Sequence, residues 1–187
     1  MQFTTAFIAS AAALTASAFP QTTPIATGLG FGVITIRSGS EIQNSGVQAA
    51  HSSLLVNAKS QNASCDSKSN FATFYINAEK ELHLWESKSS ARPQTVFVDR
   101  SGMGQGLIGY TTGVQPLPKN GENKGWEIVN GELKFKGTGL QACPGSIDGA
   151  WSLWLQGLDK PGWNENCTSV TASAIKTDSP IGCWYTE

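Results

Sequence analysis

WEIVNGELKF, residues 126–135, decides the fold class. Two four-residue runs, Trp126-Glu-Ile-Val129 and Glu132-Leu-Lys-Phe135, carry large apolar side chains at alternate positions, the period of a strand with one buried face. Between them stands Asn130-Gly131. A two-residue connection that matches strand twist needs positive φ at both positions, and Asn-Gly is the pair that tolerates this most easily. The stretch predicts an antiparallel hairpin.

The same signals recur outward in both directions. Phe31–Ile36, Ala72–Ile76, Glu81–Trp85, Thr95–Val98, Trp151–Leu155 and Ser169–Ile175 are short runs rich in β-branched and aromatic residues, separated by turn formers. Residues 77–81 join two of these runs as a second, longer hairpin. Only Val47, Ala50, His51, Leu54, Leu55 and Ala58 follow helical spacing, so the chain has room for at most one short helix, there. The chain therefore reads as all-β: a single compact antiparallel β-sandwich or barrel, with a β-trefoil as the alternative because hairpins recur.

Residues 1–18 have the form of a secretory signal peptide, with the apolar run AFIASAAAL at 6–14 and small residues Ala16 and Ala18 before the cleavage point. The run is shorter than the ~20 residues a membrane helix needs, and no membrane partner is expected. Residues 19–30, with two prolines and two glycines, read as a loose N-terminal arm, and 31–187 as one β domain. The ending Cys183-Trp-Tyr-Thr-Glu187 is too short and polar for a lipid-anchor signal.

Charged residues form 14% of the chain and the net charge is −1. Nucleic-acid binding needs clustered Lys and Arg, and here the thirteen basic residues are scattered, so no nucleic-acid partner is expected. Gly104-Gln-Gly106-Leu-Ile-Gly109 matches the G-x-G-x-x-G pattern of dinucleotide-binding proteins, but Pro116 and Pro118 bar the helix that would receive a pyrophosphate. No cofactor is expected. The glycines build a connection between strands.

Catalytic candidates are few. His51 and His83 are the two histidines, and neither stands in a triad context. His83 alternates with Leu82 and Leu84 and should share a partly exposed sheet face with Trp85. Asp99 and Asp148 could form a glycosidase pair across a cleft, yet each sits where Asp commonly bonds turn backbone. Alternation sends Trp154 to the face opposite Leu153 and Leu155, making Trp154 and Trp85 candidate glycan contacts. The competing reading is that a second sheet or loops cover them.

Four cysteines in a secreted chain imply two disulfides and no metal site, since no C-x-x-C is present. The favoured pairing is Cys65–Cys143 with Cys167–Cys183, the second closing the C-terminal segment on itself. Asn62-Ala-Ser64 and Asn166-Cys-Thr168 are N-glycosylation acceptors, expected on exposed loops.

The segments SQNASCD (60–66), ATFYI (72–76), VFVDRSGMGQGLIGYTTG (96–113), Gly125-Trp126 and ACPGSIDGAWSLW (142–154) closely resemble the fungal cell wall protein PhiA family, in the same order through nearly all of the mature chain. The resemblance implies a small secreted protein of filamentous fungi that resides in the wall, serves phialide and conidium development, and has allergens among its relatives. It supplies no catalytic residue. Wall polysaccharide or wall glycoproteins are the partners it implies.

Overall fold

The computed structural model describes residues 24–89 and 92–187, so the signal-peptide reading lies outside the described residues. Among the described residues the elements are fifteen strands: β1 (Phe31–Ile36), β2 (Ser45–Ala50), β3 (Ser53–Val56), β4 (Ser64–Cys65), β5 (Thr73–Ile76), β6 (Leu82–Leu84), β7 (Gln94–Asp99), β8 (Leu107–Thr112), β9 (Gly121–Glu122), β10 (Trp126–Val129), β11 (Glu132–Phe135), β12 (Leu140–Cys143), β13 (Trp151–Leu155), β14 (Thr168–Lys176) and β15 (Cys183–Trp184). Two 3₁₀ turns, Ile147–Gly149 and Pro161–Trp163, interrupt them. The β10–β11 hairpin has the expected register, Trp126 opposite Phe135 and Val129 opposite Glu132, with Asn130 at φ 52° and Gly131 at φ 80°.

The sheet closes on itself. From β1 the ladders run antiparallel through β14, β12, β13, β3, β8, β7, β6 and β5 back to β1, a closed nine-strand barrel. This is the barrel among the architectures expected. β14 pairs with β1 from Phe31↔Lys176 to Ile36↔Thr171, while the far edge of β1 is shared between β5 and β2. Closure hides strand edges that would otherwise offer unpaired backbone groups to other chains. Phe31, Phe74, Leu84, Tyr110, Trp126 and Phe135 meet in one continuous core.

The room left for one short helix goes unused, and the disulfide pairing is corrected. Residues 47–58 form the β2–β3 hairpin, with Val47 opposite Val56 and a tip of His51 and Ser52 at φ 50° and 55°. Both faces of this hairpin are covered: Val47, Ala49, Leu54 and Val56 join the main core, while Ala50 and Leu55 pack with Ala150 on the other side. Apolar residues on both faces abolish the two-residue alternation, and what remains mimics helical spacing.

The disulfides are Cys65–Cys183 and Cys143–Cys167. Cys183 lies opposite Cys65 in the β4–β15 ladder, and Cys143 lies one ladder step beyond the Ala142↔Thr168 pair that adjoins Cys167. A bridge from Cys167 to Cys183 would have to reverse β14, whose nine residues carry the chain ~30 Å away from Cys167. Of the expected arm, residues 24–30 are described: Gly28 N donates to Ile76 O at 2.8 Å, and Ile25 packs against the core.

Candidate functional site

The richest outward-facing chemistry lies on β5 and β6. Their register sets Phe74 opposite Leu84, Tyr75 opposite His83 and Ile76 opposite Leu82. Phe74, Leu82 and Leu84 point into the core, which leaves Tyr75 and His83 side by side on the outer face. The Tyr75 ring stacks on His83 with centroids 5.0 Å apart, and the edge of Trp85 meets Tyr75 at 5.5 Å. Trp85 is half-buried; with Gly28, Tyr75 and Glu86 it lines an open cleft of about 280 Å³.

His83 differs from its expected partial exposure: it is 8% exposed, roofed by Tyr75 and enclosed by polar neighbours. Asn77 Oδ1 accepts the backbone N–H groups of Glu79 and Glu81, both at 2.9 Å, which orients the amide. Asn77 Nδ2 therefore faces His83 Nε2 at 3.1 Å as a donor, and the ring proton sits on Nδ1, donated to Thr95 Oγ1 at 3.1 Å. Burial holds the His83 pKa below its usual range, partly offset by the Glu81 carboxylate 3.5 Å away. In this neutral imidazole Nδ1 carries the proton and the Nε2 lone pair is engaged by the Asn77 amide.

The other catalytic candidates are not brought together into a site. Asp99 ends β7, and its Oδ1 accepts Ser101 N at 2.9 Å, capping the loop to β8. His51 is exposed at the β2–β3 tip, its N–H donating to Thr186 Oγ1 at 3.1 Å. Asp148 occupies the Ile147–Gly149 turn at φ 54°. The glycine motif forms the β7–β8 connection: Gly106 takes φ 90°, and Gly109 lies within β8, where a Cβ would stand 2.8 Å from Phe97 Cζ and 3.0 Å from Ser52 O. A strand, not a helix, follows the glycines.

Trp154 does point away from Leu153 and Leu155, but its indole is half-buried under the 157–167 loop. Its Nε1 donates to Ser152 Oγ at 2.9 Å, and a Cβ on Gly162 would come within 2.5 Å of Cη2. Sequence reasoning missed Trp163, which is 88% exposed on the Pro161–Trp163 turn. Strand alternation says nothing about an aromatic residue on a turn; Pro161-Gly162 immediately before it was the available signal. Both sequon asparagines, Asn62 and Asn166, are exposed, at φ 49° and 58°.

A closed all-β barrel stapled by two disulfides, with an aromatic cleft on its wall, defines a small extracellular β-barrel protein. The model of the PhiA-like secreted proteins matches residues 31–186, and the chain belongs to that family. It is 51% identical to the cell wall protein phiA of Aspergillus niger over 179 residues, covering 94% of this chain and 95% of that one. It is 46% identical to the cell wall protein phiA of Aspergillus fumigatus over 190 residues, the full length of both. With the cell wall protein phiA of Arthroderma benhamiae it shares 38% identity over 163 residues, 82% of this chain and 86% of that one. No solved structure matches.

Proposed function

We propose that this protein is a non-catalytic component of the fungal cell wall that serves phialide and conidium formation, entering the secretory pathway through residues 1–18. The wall setting comes from relatives that carry the name cell wall protein across nearly their whole length. The observation that carries the non-catalytic reading is the use to which the candidate groups are put. His83 spends both ring nitrogens on Asn77 and Thr95, and Asp99 Oδ1 caps its own loop. Deletion of the gene tests the developmental part: impaired phialide and conidium formation is expected, and normal conidiation contradicts it.

A second reading, wall-glycan binding, is favoured by the Tyr75–Trp85 cleft. Exposed aromatic faces stack on the C–H faces of sugar rings, and Glu86 at the rim is placed to accept hydroxyl hydrogen bonds. Wall polysaccharide or the glycans of wall glycoproteins are the partners of this chemistry. Loss of wall retention in a normally secreted Trp85→Ala variant tests it, and unchanged retention counts against it.

A further inference from the structure

Trp163 stands apart from the other five tryptophans. Trp126 is buried in the core and Trp85, Trp151, Trp154 and Trp184 are partly covered, whereas Trp163 is 88% exposed. Its backbone holds φ 64°, a region that costs a bulky residue free energy, so the surroundings impose it. Pro161 is buried, Gly162 N donates to Gln105 Oε1 at 2.8 Å, and Asn164 sends both its backbone N–H and its Nδ2 to Pro161 O, at 3.0 and 2.8 Å. The Cys143–Cys167 bridge pins the far end of the loop. A rigid turn thus holds a large aromatic face out in solvent.

Three residues later stands Asn166, exposed at φ 58° and followed by Cys167-Thr168, the second acceptor sequon. Two left-handed residues bracket Asn164-Glu165, so the chain curls between the indole and the acceptor amide. The geometry points to an N-glycan on Asn166 whose innermost N-acetylglucosamine packs its C–H face on Trp163. The pyranose C–H edge is weakly positive and complements the negative indole face, and the contact removes apolar area from water. Covalent tethering makes the encounter intramolecular, at an effective concentration near the millimolar range, so a contact too weak to form freely becomes populated.

The modification transfers an oligosaccharide from a lipid pyrophosphate. A bond forms between Asn166 Nδ2 and the anomeric carbon, the bond from that carbon to the pyrophosphate oxygen breaks, the lipid pyrophosphate leaves with the electron pair, and Nδ2 loses one proton. The inference does not depend on the wall role.

The test uses protein secreted from a filamentous fungus, with Ser64→Ala removing the Asn62 acceptor. Glycopeptide mass spectrometry reads occupancy of Asn166. Melting temperatures are then compared for the intact form, a form trimmed by an endoglycosidase to one N-acetylglucosamine, and a form stripped by an amidase, with Trp163 present and in Trp163→Ala. With Trp163, the intact and trimmed forms should melt together and the stripped form roughly 2–4 °C lower, the size of one aromatic contact in a domain of this length. In Trp163→Ala the intact and trimmed forms should coincide, and the stripped form, in which the amidase has hydrolysed the Asn166 amide to a carboxylate, should differ from them only by the shift that Asn166→Asp gives in unglycosylated protein, while Trp163→Phe retains the full difference. An unmodified Asn166, an equal loss on stripping with and without Trp163, or no loss with Trp163 present overturns the inference.

Discussion

Cys65 and Cys183 stand opposite one another across the β4–β15 ladder, their Cα atoms 3.9 Å apart and their sulfurs bonded over a sequence separation of 118. The bridge fixes the C-terminal segment against the barrel wall. Just beyond it Tyr185 is fully buried: its N–H donates to Gln94 Oε1 at 3.0 Å, and its hydroxyl accepts Thr73 N at 3.3 Å. Residues close to the end of the chain therefore complete the core.

Non-reducing peptide mapping should recover Cys65–Cys183 and Cys143–Cys167 and no free thiol. A Cys65→Ala/Cys183→Ala variant should lose ~3–5 kcal/mol in denaturant unfolding, as expected for releasing a long loop in the unfolded chain. Recovery of a peptide linking Cys65 to Cys143 contradicts the fold.

Gly109→Ala should destabilise the protein by ~1–3 kcal/mol without altering secretion of the folded fraction, because the added methyl meets Phe97 and the Ser52 carbonyl inside the wall. Gly102→Ala in the same connection, where a Cβ meets open space, should be nearly silent. Equal effects, read by thermal melts of both variants, count against the packing role assigned to Gly109.

Burial pushes the Tyr185 hydroxyl up to about 12 and the Tyr110 hydroxyl also upward, the latter donating to Thr186 O. A raised folded-state pKa stabilises the protein fully below the unfolded value of ~10 and less as pH rises through the folded one. Stability should hold from pH 8 to about 10 and fall between about pH 10 and 12. In Tyr185→Phe that fall should be shallower. An unchanged alkaline slope in the variant contradicts the assignment.

Trp85→Ala should weaken binding to purified wall polysaccharide about tenfold, the scale of a single lost stacking contact. Trp154→Ala should leave binding intact and lower stability instead, since Gly162 covers that indole. Sedimentation with the polysaccharide, paired with a thermal melt, separates these outcomes. Weakened binding in Trp154→Ala alone reverses the assignment.

Local signals carried the reading where one face of a strand is solvated. The Asn130-Gly131 hairpin, β1 and β13 were legible to the residue because turn chemistry and alternation agree there. The β2–β3 hairpin was not, because burial of both its faces erases alternation. The disulfide pairing depends on which strands adjoin, and β4 and β15, each two residues long, give no periodic signal at all. His83 looked half-exposed because alternation reports which face a residue occupies; it does not report that Tyr75 and Glu81 roof that face.

The central claim, a wall protein that works without catalysis, is tested most directly by complementing the deletion strain with one variant carrying His51→Ala, Asp99→Asn and Asp148→Asn, alongside a separate His83→Gln variant. Each is first shown by thermal melt and wall fractionation to be folded and retained. Both should restore phialides and conidia to the wild-type level. Failure of either folded, retained variant to rescue would contradict the claim and make the altered residue a catalytic candidate.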